Sequence, residues 1–309
     1  MNILLTGGAG FIGSHIADLF ISEGHDVIII DNLSTGSTGN INKKARFIES
    51  DISTADFEKI LRGLKIDVIN HHAAQIDVRT SVADPITDLR ANVEGTVRLL
   101  EYAVNNNVRK FMFASSGGAV YGEQKLFPAD ENHPKNPLSP YGISKLTAEK
   151  YIKFFSMYYG LPYSILRYAN VYGPRQSLKG EAGVVAVFCK KLVEGKKAVI
   201  NGDGKNTRDL VYAEDVAVAN LKAMKSDAFC TVNISTAEET DINTVYEKIR
   251  NCFGSDAKAE HGAGIKGEQK RSIIDNSLAL EIIGWNPLHN FERGIKKTCD
   301  WFKWNYKKN

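Results

Sequence analysis

Short runs rich in β-branched and aromatic residues alternate with longer stretches of helical period through the first half of this chain, and no other feature of the sequence restricts its fold as strongly. Ile3 to Thr6, Val27 to Ile30, Val68 to His71, Lys110 to Ser115 and Tyr163 to Tyr168 read as strands. Phe11 to Glu23, Ile86 to Val104 and Pro140 to Tyr159 read as helices between them. Helices of that length make the right-handed return from one parallel strand to the next, which predicts an α/β fold built on a doubly wound parallel sheet. After about residue 170, glycine turns at Gly173, Gly180, Gly183, Gly202 and Gly204 interrupt the alternation. The expected division is 1–170 for the sheet domain and 171–309 for a smaller, mixed α/β C-terminal lobe, with some segments of the second returning to the first.

Charge and composition bound what such a fold serves. The 309 residues, 43% of them hydrophobic, can bury about three quarters of their unfolded surface, which excludes a disordered chain or a disulfide-stapled miniature. Lys plus Arg number 39 against 36 Asp plus Glu, a balance of +3 that disfavours nucleic acid or an anionic membrane as partner and points to small molecules. The four cysteines, at 189, 230, 252 and 299, form no Cys-x-x-Cys pair, so neither a metal site nor a disulfide framework is expected and a cytoplasmic setting fits. Met1 leads directly into the first strand, with no apolar leader ahead of it and no later run of membrane-spanning length, so a soluble, unprocessed protein is expected.

Three glycines spaced three apart, Gly7, Gly10 and Gly13, occupy the first strand-to-helix turn. There Gly7 makes the tight turn, Gly10 lets the backbone approach a pyrophosphate, Gly13 lets helix pack on sheet, and the helix N-terminus faces the anion. The spacing alone arises by chance about 0.2 times in such a chain; its position, and Asp31 at the end of the second strand, make it a dinucleotide site. A carboxylate there accepts from ribose hydroxyls and repels a 2′-phosphate, and no Arg follows in Asn32-Leu33-Ser34-Thr35-Gly36, so NAD is favoured over NADP.

The second constellation is Ser139-Pro140-Tyr141-Gly142-Ile143-Ser144-Lys145. Ser139 suits an N-cap and Pro140 the first helical position, which sets Tyr141 and Lys145 one turn apart on one face. A phenol titrating near 10 is a poor base at neutral pH unless nearby positive charge favours its phenolate, which an adjacent ammonium provides. Tyr121 and Lys125 repeat the spacing, but in a loop after a strand, and are read as a coincidence.

These residues, together with Asp51-Ile52, His72-Ala73-Ala74-Gln75, Asn92, the run from Ser115 to Gly122, the run from Leu166 to Arg175 and Arg208-Asp209, resemble the extended short-chain dehydrogenase/reductase superfamily, and within it the UDP-glucose (UDP-galactose) 4-epimerases. The likeness spans nearly the whole chain. It implies an NAD-binding Rossmann fold, a lobe that binds a UDP-hexose, and a homodimer formed by the helices around Ile86 to Val104 and Pro140 to Tyr159. Phe11 and Ile12 would sit at the pyrophosphate, Asp31 to Gly36 around the adenosine ribose, and Asp51 and Ile52 at the adenine. Ala73, Ala74 and Gln75 would line the cofactor cleft, with Asn92 anchoring the central helix and Ser115 among the cofactor contacts. Tyr141 and Lys145 would flank the nicotinamide ribose, Asn170 and Arg208 would hold the sugar nucleotide, and Val199 with Ile200 would form a strand against which uracil lies. The implied reaction is NAD-dependent inversion at carbon 4 through a 4-keto sugar, with Tyr141 moving the hydroxyl proton.

Two departures from the family pattern matter. Gly117 stands where many members have Ser or Thr, which makes the neighbouring Ser116 the candidate for polarising the 4-hydroxyl. Ile265 stands where members often have a phosphate-binding Arg, leaving Lys266 or Arg271 as the substitute cation. Ser272 takes a place that a bulky Tyr fills in some members, which predicts room for an N-acetyl hexose. The alternatives are UDP-glucuronate 4-epimerisation, a 4,6-dehydratase and a non-catalytic NAD-binding regulator. Gly117-Gly118-Ala119 lacks the ionisable groups that elimination of water needs, and a chain without chemistry would not be expected to keep Tyr141 and Lys145.

Overall fold

The structure is a computed structural model, and it describes residues 1–178, 182–264 and 269–306. Seven strands form the central sheet: β1 (Asn2–Thr6), β2 (Asp26–Asp31), β3 (Arg46–Glu49), β4 (Val68–His71), β5 (Lys110–Ser116), β6 (Tyr163–Tyr168) and β7 (Cys230–Ile234). Their order is β7-β6-β5-β4-β1-β2-β3, and every neighbouring pair is parallel. The order reverses between β1 and β4, so the carboxyl ends of these two strands open a crevice, the place where doubly wound sheets bind ligands.

The five strands expected from the sequence are present, and two more join them. Arg46-Phe47-Ile48-Glu49 carries only two apolar residues between charges, too short a pattern to stand out, and it forms an edge. β7 comes from beyond residue 170 and pairs with β6 from Cys230↔Ser164 to Ile234↔Tyr168.

Successive residues of a strand face opposite sides. Ile3, Leu5, Ile29 and Leu166 therefore pack on one face under α1 (Phe11–Ser22) and α7 (Ala213–Lys225). Leu4, Ile28, Ile30, Ile69, Phe111 and Phe113 pack on the other, under α3 (Gly95–Asn105) and α5 (Pro140–Tyr159). Burial on both faces explains why these strands read as continuous apolar runs. The helix expected over Ile86 to Val104 is α2 (Pro85–Leu89) joined to α3 through a π turn at Arg90–Glu94. A short helix, α4 (Gly117–Val120), follows β5 directly.

A third core lies between α6 (Val184–Val193), α8 (Ile242–Phe253) and the last helix, α9 (Phe291–Tyr306), around Phe188, Tyr246, Ile249, Ile295 and Phe302. Ile295, Cys299 and Phe302, spaced along one side of that last helix, face α6 and α8. By contrast α7, β7 and Trp285 belong to the core of the large sheet. All four cysteines are free thiols. Among the described residues no helix is long and apolar enough to cross a membrane.

Candidate active site

The glycine turn is built from three separate steric demands. Gly7 has φ +72°, and a Cβ there would stand 2.6 Å from Ala73 N in the chain leaving β4. A Cβ on Gly13 would stand 2.3 Å from Gly7 O, so the helix can lie this close to the turn only without a side chain. Gly10 occupies the N-cap position of α1, which has neither a capping side chain nor an acidic residue in its first turn. The backbone N–H groups around Phe11, Ile12 and Gly13 thus open an uncapped, positively polarised helix end onto the crevice, a fit for a pyrophosphate.

Asp31 ends β2 beside that turn. Its Oδ2 accepts from Ala9 N–H at 3.0 Å and its Oδ1 from Leu33 N–H at 2.8 Å, which aims the carboxylate and ties the following loop to the glycine turn. Leu33 turns through φ +57°, Ser34 N–H donates to Asn32 Oδ1, Thr35 is exposed, and a Cβ on Gly36 would lie 3.0 Å from Asp31 Oδ1. Asn32 also donates to Asp51, linking the loop after β2 to the loop after β3. Ile52 is buried in the core, where Gly95 of α3 has no side chain to obstruct it.

The Asn92 and Ser115 side chains are engaged by protein partners. Asn92 sits in the π turn, donates to Gln75 O at 2.9 Å and accepts from Gln75 N–H at 2.9 Å, tying the end of the segment Ala73-Ala74-Gln75 to that turn. Ser115 Oγ donates to Glu149 Oε1 at 2.6 Å, because alternation along β5 turns it toward α5.

Ser139 caps α5 by accepting from Gly142 N–H at 3.2 Å, with Pro140 at the first helical position, as the local sequence predicts. Lys145 is buried, donates to Ala114 O at the end of β5 at 3.0 Å, and lies 5.9 Å from the centre of the Tyr141 ring. Burial lowers its pKa to about 8, against the opposing pull of the Asp88 and Glu149 carboxylates, so the ammonium persists at neutral pH. Tyr121 has the opposite character. Its hydroxyl is buried, donates to Asn233 and accepts from Arg167, and burial pushes its pKa up to about 12.

Ser116 stands at the N-cap position of α4 yet makes no capping bond. A Cβ on Gly117 would lie 2.5 Å from Ile274 Cδ1, so a larger residue there would have to displace the end of that side chain. Gly142, which the sequence reading did not single out, has a use as well: a Cβ on it would meet Ala119 O at 2.8 Å. Its absence lets the Ser116 turn press against α5 beside Tyr141. The only signal in the sequence is a glycine in the first turn of a helix, where it lowers stability without packing to compensate.

The residues expected at the nucleotide sugar lie on three short, mutually bonded segments. Asn170 begins the strand Asn170–Tyr172, which pairs with Leu210–Tyr212. Arg208 pairs in register with Ser272. Asp209 between them accepts from Thr236 and Ala237, pinning the turn after β7. Arg208 is half-buried and donates to Thr207 O, and Ser272 Oγ lies 4.0 Å from where a Cβ on Gly118 would stand. Asn170, Arg208, Ser272 and the Ser116 turn are thereby gathered into one region. Val199 is exposed on the pair Val199–Asn201 with Glu260–Gly262, whereas Ile200 points into the core of the lobe. Lys266 and Ile265 lie outside the described residues. Among the described residues no cluster of His, Cys, Asp or Glu is placed to hold a metal ion.

The chain is similar to known proteins in sequence and in fold. A model of the NAD dependent epimerase/dehydratase family matches residues 3–235. The chain is 48% identical, over 98% of its length and 99% of the relative's, to a Methanocaldococcus jannaschii protein provisionally assigned as a UDP-glucose 4-epimerase. It superposes with a TM-score of 0.97 and 43% identity on a Thermotoga maritima UDP-glucose 4-epimerase solved with UDP-glucose, covering 99% of this chain and 100% of that one. A Methanobrevibacter ruminantium UDP-N-acetylglucosamine 4-epimerase, solved with UDP-N-acetylmuramic acid, gives 0.93 at 37% identity with 97% of each chain covered.

Proposed function

The chain belongs to the NAD dependent epimerase/dehydratase family, and from that premise we propose that it is a UDP-sugar 4-epimerase, inverting carbon 4 of a UDP-hexose. NAD supplies a reversible hydride acceptor when bound. The uncapped start of α1 and the Asp31 carboxylate suit its pyrophosphate and ribose. The rest of the chemistry is proton handling and anchorage. Tyr141 takes the 4-hydroxyl proton and later returns it, Lys145 favours the phenolate by its charge, and Ser116 polarises the same hydroxyl. Arg208 holds the diphosphate, for which a guanidinium is suited by permanent charge and two parallel donors. Asn170 assists it, and the hexose stays free to present either face. The observation that carries this reading is the buried Lys145 ammonium held at the end of β5 one helical turn from Tyr141.

UDP-glucose and UDP-galactose are the proposed substrates, with UDP-N-acetylglucosamine and UDP-N-acetylgalactosamine admitted as well, because the small Ser272, where some members of the family have a bulky Tyr, lies beside Gly118 of the Ser116 turn. Purified protein incubated without added cofactor with each of these, and with UDP-glucuronate, should yield the 4-epimers of the hexoses. Formation of a 4-keto-6-deoxy sugar, or no epimer from any substrate, overturns the reading. Turnover of UDP-galactose without any turnover of the N-acetyl forms refutes the wider pocket alone. The free thiols suit work in a reducing cytoplasm.

The proposed assembly is a homodimer. Ile86 and Leu89 of α2, with Ile143, Tyr151, Phe154, Met157 and Tyr158 of α5, are exposed apolar residues on adjoining helices. A continuous face of this kind calls for a partner, and a second copy presents the same face through a two-fold axis. Light scattering should give twice the chain mass for the native protein and a monomer for the double variant Phe154→Glu, Tyr158→Glu. A native monomer at micromolar concentration refutes the dimer.

A further inference from the structure

The helix that carries Tyr141 and Lys145 rests on a carboxylate that the proposed reaction does not use. Asp88 of α2 is completely buried. Its Oδ1 accepts from Gln75 Nε2 and Asn92 Nδ2, each at 3.0 Å, and its Oδ2 accepts from Ser144 Oγ at 2.6 Å. One side chain thereby joins the loop leaving β4, the π turn, and α5 at the residue next to Lys145. These donors are neutral: they satisfy the lone pairs of the carboxylate but leave its charge to be balanced in a medium of low polarity.

The residue that follows Ser144 on α5, Lys145, is a buried cation. We propose that Asp88 is a positioning residue and the counter-charge of Lys145, seating α5 against the cofactor-cleft loop through Ser144 and keeping the ammonium charged beside Tyr141. The assignment rests on the reaction proposed above. Other groups around Lys145 do not replace this role. His71 and His72, at the end of β4, are driven far below the usual imidazole range by burial and by Lys145 itself, His72 to about 3, so they stay neutral. Phe113 offers only a ring face, 4.7 Å from the ammonium, and Tyr141 is the group being served. Glu149, on the same helix as Lys145, is neutralised by a bidentate pair with Arg167. Of the two carboxylates that favour the Lys145 charge, Asp88 acts the more strongly.

The sign of the effect follows. Lys145 titrates near 8, and Asp88 holds it up from a still lower value. Removing that negative charge makes the ammonium lose its proton at lower pH, so Asp88→Asn should move the alkaline fall of kcat/KM down by roughly one pH unit. Ser144→Ala cuts the hydrogen bond and spares the charge, so it should lower kcat and leave the position of that fall unchanged. A direct titration of Lys145 comes from NMR of protein labelled with ε-13C lysine, the resonance being assigned by its loss in Lys145→Arg. The same downward shift is expected there for Asp88→Asn alone. A Lys145 midpoint unmoved in a folded Asp88→Asn protein, or moved equally by Ser144→Ala, overturns the assignment. If the native protein epimerises no UDP-sugar, the reaction reading fails by itself, and the NMR midpoint still decides the role of Asp88.

Discussion

Tyr141→Phe should lower kcat for UDP-hexose epimerisation by about 10³-fold or more while leaving bound NAD in place. The phenol oxygen is the group that the mechanism charges with taking and returning the 4-hydroxyl proton, and a phenyl ring of the same shape keeps the packing of α5 and removes that group alone. Lys145 remains at the end of β5, held by Ala114 O, so the cleft keeps its form. Cofactor content, read as NAD released on denaturation, separates loss of chemistry from loss of the site. Tyr121→Phe is the control. The Tyr121 hydroxyl is buried between Asn233 and Arg167 and its pKa is pushed to about 12, so its loss should cost stability and leave the pH dependence of turnover in place. Native turnover in Tyr141→Phe would refute the assignment of the base.

The contrast between the two tyrosines shows what the sequence makes legible. The glycine turn, Asp31 and the Tyr141/Lys145 pair were readable because each depends on residues close in the chain, where turn sterics and helical spacing set geometry directly. The five expected strands were readable because burial on both faces leaves an apolar run. β7 was not, since its neighbour β6 lies over sixty residues earlier and nothing local in Cys230-Thr231-Val232-Asn233-Ile234 names that partner. Asn92 and Ser115 show the complementary limit. The resemblance marked both positions, but only the three-dimensional packing shows that their polar atoms face Gln75 and Glu149. Asp88 and Gly142 carried no pattern at all: one acts through residues on three segments, the other through the absence of a side chain.

The largest loss of stability is expected from Arg167→Met, about 3–5 kcal/mol in urea unfolding. Arg167 of β6 and Glu149 of α5 are almost wholly buried and meet through two hydrogen bonds, Nε to Oε1 at 2.9 Å and Nη2 to Oε2 at 2.6 Å. Glu149 also accepts from Ser115, and Arg167 also donates to Tyr121, which donates on to Asn233 of β7. The pair therefore stitches β5, β6, β7 and the helix of Tyr141 together at the carboxyl end of the sheet. Methionine fills a similar volume but leaves the Glu149 carboxylate buried with one neutral donor, and that desolvated charge is the source of the cost. Against a total of roughly 5–15 kcal/mol for a domain, the loss is enough to unfold much of the protein on mild heating. Adding Glu149→Leu removes the stranded charge, so the double variant should regain most of the lost stability even though it lacks both partners. The remaining deficit belongs to the hydroxyls of Ser115 and Tyr121, which each lose one partner. A single variant within about 1 kcal/mol of the native protein, or a double variant no more stable than the single, would show that the buried charge is not what holds this end of the sheet.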